Sequence, residues 1–96
     1  MNTQLLFELL TPSFAHVITS LRPSTKDSHN LFAEYKRCFP LDYTTGLSAF
    51  NGNYTLYHGY LSRMLLQQKF GSINHIGFVN SPNCFGKTTR NSMWKL

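Results

Sequence analysis

Phe50, Tyr54, Tyr57 and Tyr60 fall within one short span, interleaved with Asn51, Gly52, Asn53 and Gly59. Aromatic faces stack on sugar rings and nucleobases, and tyrosine hydroxyls and asparagine amides hydrogen-bond to their polar rims. The pattern marks Phe50, Asn51, Asn53, Tyr54, Tyr57 and Tyr60 as a candidate surface for a glycan or a single nucleic-acid strand. A packed corner between a turn and a helix would use the same residue types, with the tyrosines half-buried. The sequence leaves both readings open.

The second chemical signal is charge. The chain has 96 residues, a net charge of +5 and only four acids, Glu8, Asp27, Glu34 and Asp42. Residues 1–42 also hold Arg22, Lys26, Lys36 and Arg37, so that part is neutral. Residues 43–96 hold Arg63, Lys69, Lys87, Arg90 and Lys95 and no acid. Such an asymmetry points to an anionic or glycan polymer as partner, or to a larger macromolecular assembly or a protein partner. Arg63, Lys69, Lys87, Arg90 and Lys95 are the candidate anion-binding residues.

Acid–base catalysis has few candidates. Glu8 sits in the apolar run LFELLT, where burial would raise its pKa as a general acid requires; on the wet face of a helix it would do nothing of the kind. Asp42 precedes YTTG and reads as a loop residue in an Asx-turn. FGKTT at 85–89 ends like a phosphate-binding loop but lacks the upstream glycine, and no G-x-S-x-G occurs, so no cofactor is implied. His16, His29, His58 and His75 are scattered, Cys38 and Cys84 form no C-x-x-C, and no metal site is expected. The two cysteines would close a long loop in an oxidising compartment and remain separate thiols in the cytosol. The run LLFELL is short and broken by Glu8, and the N-terminus lacks a basic segment. Neither a membrane span nor a signal peptide is expected, and the compartment stays open.

These residues need elements to hold them. Leu5, Leu6, Leu9 and Leu10 suggest a short helix ending at Pro12. Thr11-Pro12 reads as the start of a second helix carrying Phe14, Val17, Ile18 and Leu21, stopped at Pro23. Residues 22–30, RPSTKDSHN, read as an internal linker. Asn30 would cap a helix over LFAEYKRCF, with Leu31, Phe32, Tyr35 and Cys38 or Phe39 on one face, ended by Pro40. Residues 41–53 read as irregular, with a turn at Asn51-Gly52. A short extended piece at 54–56 leads to a helix from 58 to 70, with Gly71 as its stop. Residues 72–80 read as a strand followed by a turn at 80–83. Residues 86–96 are expected to be a mobile basic tail, with Trp94 as the one residue that would dock.

The segment LSAFNGNYT…HGYLSRM resembles one near the end of the lysozyme-like domain of lytic transglycosylases that accompany conjugation and type IV secretion. Leu47, Ser48, Phe50, Asn51, Gly52, Asn53 and Tyr54 match its first part, and Gly59, Tyr60, Leu61 and Arg63 its second. About a fifth of the chain is covered. The resemblance implies that Phe50 and Asn51 line a glycan cleft. That family's catalytic glutamate motif, E-S-x-x-N/D-P-like, and its G-L-M/F-Q-like motif are absent, so the resemblance implies binding of peptidoglycan rather than cleavage. A looser likeness, FP followed by NG, Met64 and KFG, links the chain to a small-subunit ribosomal protein family.

The expectation is one domain over 1–96, mainly α with a minor β-element, a small α+β fold. Its core would draw on Leu6, Leu9, Phe14, Val17, Ile18, Leu21, Leu31, Phe32, Tyr35, Leu61, Met64, Leu65, Ile76 and Phe78. Its function would be that of a small basic binding protein: a glycan-binding module, or a nucleic-acid-binding subunit of a nucleoprotein assembly. A third reading is an orphan chain with no specific activity.

Overall fold

The computed structural model describes residues 2–96. Four helices and a three-stranded sheet make an α+β fold, mainly α. The order is α1 (Thr3–Leu21), β1 (Thr25–Asp27), α2 (Ser28–Cys38), α3 (Pro40–Ala49), α4 (Tyr54–Leu66), β2 (Asn74–Pro82) and β3 (Thr88–Lys95). The sheet is antiparallel throughout, in the order β1-β3-β2.

The expected pair of short helices before Pro23 is one helix, α1, with Pro12 inside it. An internal proline costs about 3 kcal/mol, because its N–H is missing and its ring crowds the carbonyl four residues back. Five apolar side chains outweigh that cost. Leu6, Leu10, Phe14, Val17 and Ile18 are buried along one stripe of the helix, and each contributes about 1.5–3 kcal/mol. Pro12 lies on the wet face, and the Thr11 hydroxyl donates to the Phe7 carbonyl at 2.6 Å.

The expected linker at 22–30 is instead part of the fold. Residues 25–27 pair with Met93–Lys95, and α2 starts at Ser28. Asp27, not Asn30, is the cap: its carboxylate accepts the Asn30 N–H at 2.7 Å. Asp27 and Ser28 are buried because they carry the chain from sheet to helix. Leu31, Phe32 and Tyr35 face the core, whereas Cys38 is exposed.

Pro40 ends α2 and also opens α3 at the first helical position, where its missing N–H has no intrahelical partner to lose. The stretch expected to be irregular is therefore helical, and Asp42 sits in the first turn of α3, where a carboxylate suits the helix dipole. Asn51 and Gly52 both have positive φ, and the Gly52 N–H reaches back to the Leu47 carbonyl at 3.0 Å. The Asn-Gly pair thus closes the C-terminus of α3. Asn53 caps α4, accepting the Leu56 N–H at 3.1 Å. With that cap, α4 begins at Tyr54 rather than after an extended piece.

The largest departure is at the C-terminal end. Residues 88–95 are not a mobile tail but β3, the central strand, in register with β2 from Asn74↔Lys95 to Pro82↔Thr88 and bulged between His75 and Gly77. Trp94 is 1% exposed, and its indole N–H donates to the Ser28 hydroxyl at 2.9 Å. The turn falls at 83–87, later than expected. It is built by Asn83, whose side-chain oxygen accepts the N–H groups of Phe85 and Lys87 at 2.9 and 3.1 Å.

The buried apolar residues form one cluster. Phe14 is at its centre, stacked on Phe70 at 4.4 Å and tilted against Tyr35 at 4.7 Å. The Ser13 hydroxyl donates to the Leu10 carbonyl at 3.1 Å, so the Tyr35 hydroxyl, 2.8 Å away, donates to Ser13. Leu9, Ile76 and Phe78, expected inside, are exposed. Tyr43, Tyr57, Phe70 and Trp94 take up core positions instead. Among the described residues, no helix is long and apolar enough to cross a membrane.

Candidate functional site

A cleft opens where α2, α4 and the β2–β3 hairpin meet. It has two lobes of about 530 and 460 Å³ that share His29, Phe32, His58, Asn83 and Cys84 as a common wall. The first lobe lies between α4 and the hairpin, bordered by Tyr54, Ser62, Phe78, Phe85 and Arg90. The second runs along α2, past Lys36 and Arg37 to Tyr43. Both fall within the usual size of ligand pockets. Among the described residues, no carboxylate lines either lobe.

Each wall has a physical origin. His29 begins the first turn of α2 and is pinned to the hairpin. Its backbone N–H donates to Asn91 Oδ1 at 3.0 Å, and its Nδ1 lies 3.1 Å from the Ser81 carbonyl and 3.0 Å from the Ser81 hydroxyl. Asn91 completes the clamp, donating to the Val79 carbonyl and the Ser81 hydroxyl at 3.1 and 3.0 Å. The hairpin is thereby fixed against α2 near its turn.

His58 projects from α4 against Phe32, with ring centroids 4.8 Å apart. Burial, with neighbouring His29 and Lys36 adding to the effect, lowers its pKa to about 4. The ring is therefore neutral at pH 7. Tyr43 Oη lies 2.8 Å from Nε2. Burial pushes the Tyr43 hydroxyl well above its ordinary range, with Cys84 and Tyr54 adding to the effect. The protonated phenol is the donor, and the His58 proton then resides on Nδ1.

Four rings and two cations give the cleft its binding character. The Arg90 guanidinium lies 4.0 Å from the centre of the Phe78 ring, a cation–π contact that holds its plane. Phe85, 65% exposed at the hairpin turn, is met edge-on by Tyr54 with centroids 5.3 Å apart. The Lys36 ammonium stands 5.7 Å from the Tyr43 ring. Arg37 is neutralised by Glu34 at 2.8 Å, and that pairing holds the Glu34 carboxyl below its usual pKa. Arg90 and Lys36 are thus the cleft's cations without a carboxylate partner.

The residues expected to form the site are divided by the fold. Tyr57 and Tyr60 are 0% and 3% exposed, and their rings pack with half-buried Phe50 at 5.8 and 5.5 Å. Those two tyrosines belong to the core and offer no free face. Asn51 and Asn53 are exposed and serve as helix caps. Of that group only Tyr54 borders the cleft. Among the expected anion-binding residues, Arg90 lines it and Lys87 lies on the adjoining turn. Arg63 and Lys69 lie on and just beyond the far end of α4, Lys69 beside a separate pocket of about 220 Å³ with Tyr60 and Phe7. Lys95 is at the opposite end of β3 from the hairpin turn. Glu8 is exposed on α1, hydrogen-bonded by Gln4 at 3.2 Å, and lines neither lobe.

His29, His58, Lys36, Phe78 and Phe85 were not singled out by the sequence. Phe78 was expected in the core, and the signal for Phe85 was that a large ring sits in a polar turn with little core to enter. Cys38 and Cys84 are exposed and unjoined. Among the described residues, no group of three or more His, Cys, Asp or Glu side chains could hold a metal ion. Comparison with protein-family models, with curated proteins and with solved structures finds no match.

Proposed function

We propose that the chain is a small basic binding protein whose α2–α4–hairpin cleft takes a segment of an anionic polymer. The observation that carries this reading is the composition of the cleft: Arg90 and Lys36 without carboxylate partners, and no acid on either wall. An anion entering there meets two positive groups and no like charge, and the low-dielectric walls strengthen both attractions. The asymmetry of the sequence supports the same reading, because the acids of the first half are used elsewhere. Asp27 is a buried cap, Glu34 neutralises Arg37, Asp42 opens α3, and Glu8 lies on exposed α1.

The test is the salt dependence of binding to labelled inorganic polyphosphate and to labelled oligonucleotides. Two phosphate contacts give a log–log slope of about −1.4 for a single-stranded polyanion. Arg90→Ser should reduce the slope by about 0.7. Gly59→Leu should weaken binding, because nothing lies within 4 Å of a Cβ at Gly59 and the added side chain would project into the space of the first lobe. Binding that is flat in salt, or unchanged by both substitutions, refutes the proposal.

A further inference from the structure

Resting on that reading, we infer that the polymer is single-stranded nucleic acid, with one base stacked on Phe85 and the adjoining phosphates held by Arg90 and Lys36. Charge alone does not account for the first lobe. A cleft that only attracted phosphate would gain nothing from a large ring 65% exposed to water at its mouth. Phe85 is nevertheless held in place. Tyr54 abuts it at an interplanar angle of 78°, so Tyr54 contacts the ring through a T-shaped approach rather than by covering it in a stack. The turn beneath it is fixed by the two hydrogen bonds to Asn83. A ring fixed at its base and open to solvent is a platform for a flat partner, and stacking is worth about 1–3 kcal/mol per base.

The cations sit where a strand's backbone would pass. Arg90 lines the same lobe as Phe85, and Lys36 lines the second lobe beyond the shared wall of His29, His58 and Asn83. A phosphodiester chain supplies alternating rings and charges, and so matches a cleft with one open ring, and a cation in each lobe. Polyphosphate supplies charge without rings, and an uncharged glycan supplies rings without charge. Thr55 and Ser62 hydroxyls on α4 border the lobe and make no hydrogen bond among the described residues, which leaves them free for a base edge. A duplex keeps its base faces stacked on each other, so only an unpaired base can use Phe85.

The experiment measures fluorescence anisotropy of labelled ten-residue oligothymidylate, oligouridylate, a ten-base-pair duplex and polyphosphate, on the intact chain and on Phe85→Ala and Phe85→Trp. The expected result is that single strands bind more tightly than the duplex. Phe85→Ala should weaken single strands about five- to hundredfold while leaving polyphosphate unchanged. Phe85→Trp should restore the affinity. The two single-strand arms distinguish DNA from RNA. If polyphosphate binds as tightly as the single strands and Phe85→Ala changes neither, the base-stacking inference fails and the anion-binding cleft stands. Preference for the duplex also overturns it. If no polyanion binds even at low salt, both proposals fall. Phe85 is exposed and outside the core, so its variants are expected to melt with the parent chain, and a melt on each confirms this.

Discussion

Two glycines in neighbouring helices should respond to alanine with opposite signs. Alanine favours a helix interior over glycine by about 1 kcal/mol, so propensity alone predicts a gain at both Gly46 and Gly59. The surroundings differ. Gly46, in α3, is buried against the ring of Tyr57. A Cβ there would lie 2.6 Å from Tyr57 Cε1, with Cζ and the hydroxyl nearer still. Carbon contacts are comfortable only from about 3.5 Å, so either α3 or the ring must retreat by about 1 Å. Tyr57 is fully buried and cannot swing out. Overpacking of this kind costs about 1–3 kcal/mol or more, and the low end of that range would only balance the propensity gain. With two ring carbons and the hydroxyl oxygen in collision we expect the upper end, a net loss of about 2 kcal/mol. Gly59, in α4, has nothing within 4 Å of its Cβ position, so Gly59→Ala should keep the full gain of about 1 kcal/mol. In a domain of this size 1 kcal/mol moves Tm by about 4–8 °C. Thermal and urea unfolding followed by circular dichroism should therefore place Gly59→Ala above the parent chain and Gly46→Ala well below it. A Gly46→Ala variant as stable as Gly59→Ala would refute the close packing of α3 on α4.

Three further outcomes follow from the polar groups and the C-terminal strand. The Tyr57 hydroxyl is buried without a hydrogen-bond partner, whereas the Tyr35 hydroxyl donates to Ser13. Tyr57→Phe should leave stability unchanged or raise it by about 1 kcal/mol, and Tyr35→Phe should lower it by about as much, as read by urea midpoints. His58 is held near pKa 4 when folded and reverts toward about 6.5 when unfolded. The unfolded chain therefore binds the extra proton as pH falls. Stability is fully present above pH 6.5 and declines between 6.5 and 4, by about 1–2 kcal/mol after allowance for solvent screening. In His58→Gln that part of a pH–stability profile should flatten. Removal of residues 88–96 takes away the central strand and Trp94. Loss of a buried tryptophan alone costs about 3–5 kcal/mol, so the truncated chain should show no cooperative melt.

The helices were legible where apolar spacing was strong. Val17, Ile18, Leu31, Phe32, Tyr35, Leu61 and Leu65 are buried as their periodicity predicts. Pro12 misled because local propensity says that a helix starts there, and only the stripe running through it from Leu6 to Ile18 shows that packing overrides the break. The polar stretch at 22–30 concealed β1 because a three-residue strand carries no period of its own; its partner lies some seventy residues away at Met93–Lys95. TTRNSMWK read as a tail because Met93 and Trp94 are its only apolar residues, although its main partner β2 lies just across the turn. A central strand flanked by another strand on each side is stabilised by backbone pairing, which sequence patterns do not record, and Trp94 was its one visible clue. At the site, the tyrosine cluster looked like a binding face because ring composition is the same for a surface and for a core. Tertiary position decides between them, and it turned Tyr57 and Tyr60 inward while leaving Phe85 outside.

The order of the strands has a consequence for synthesis. Translation delivers α1 through α4 first, and their apolar stripes can gather as soon as residue 66 is free. β1 must wait, because its pairing partner is made some seventy residues later, and the indole that covers Ser28 arrives with it. Until β3 is made, the side of the helices that Trp94 covers therefore stays open to chaperones and proteases. The sheet closes only when the growing chain comes back to fill the place between β1 and β2.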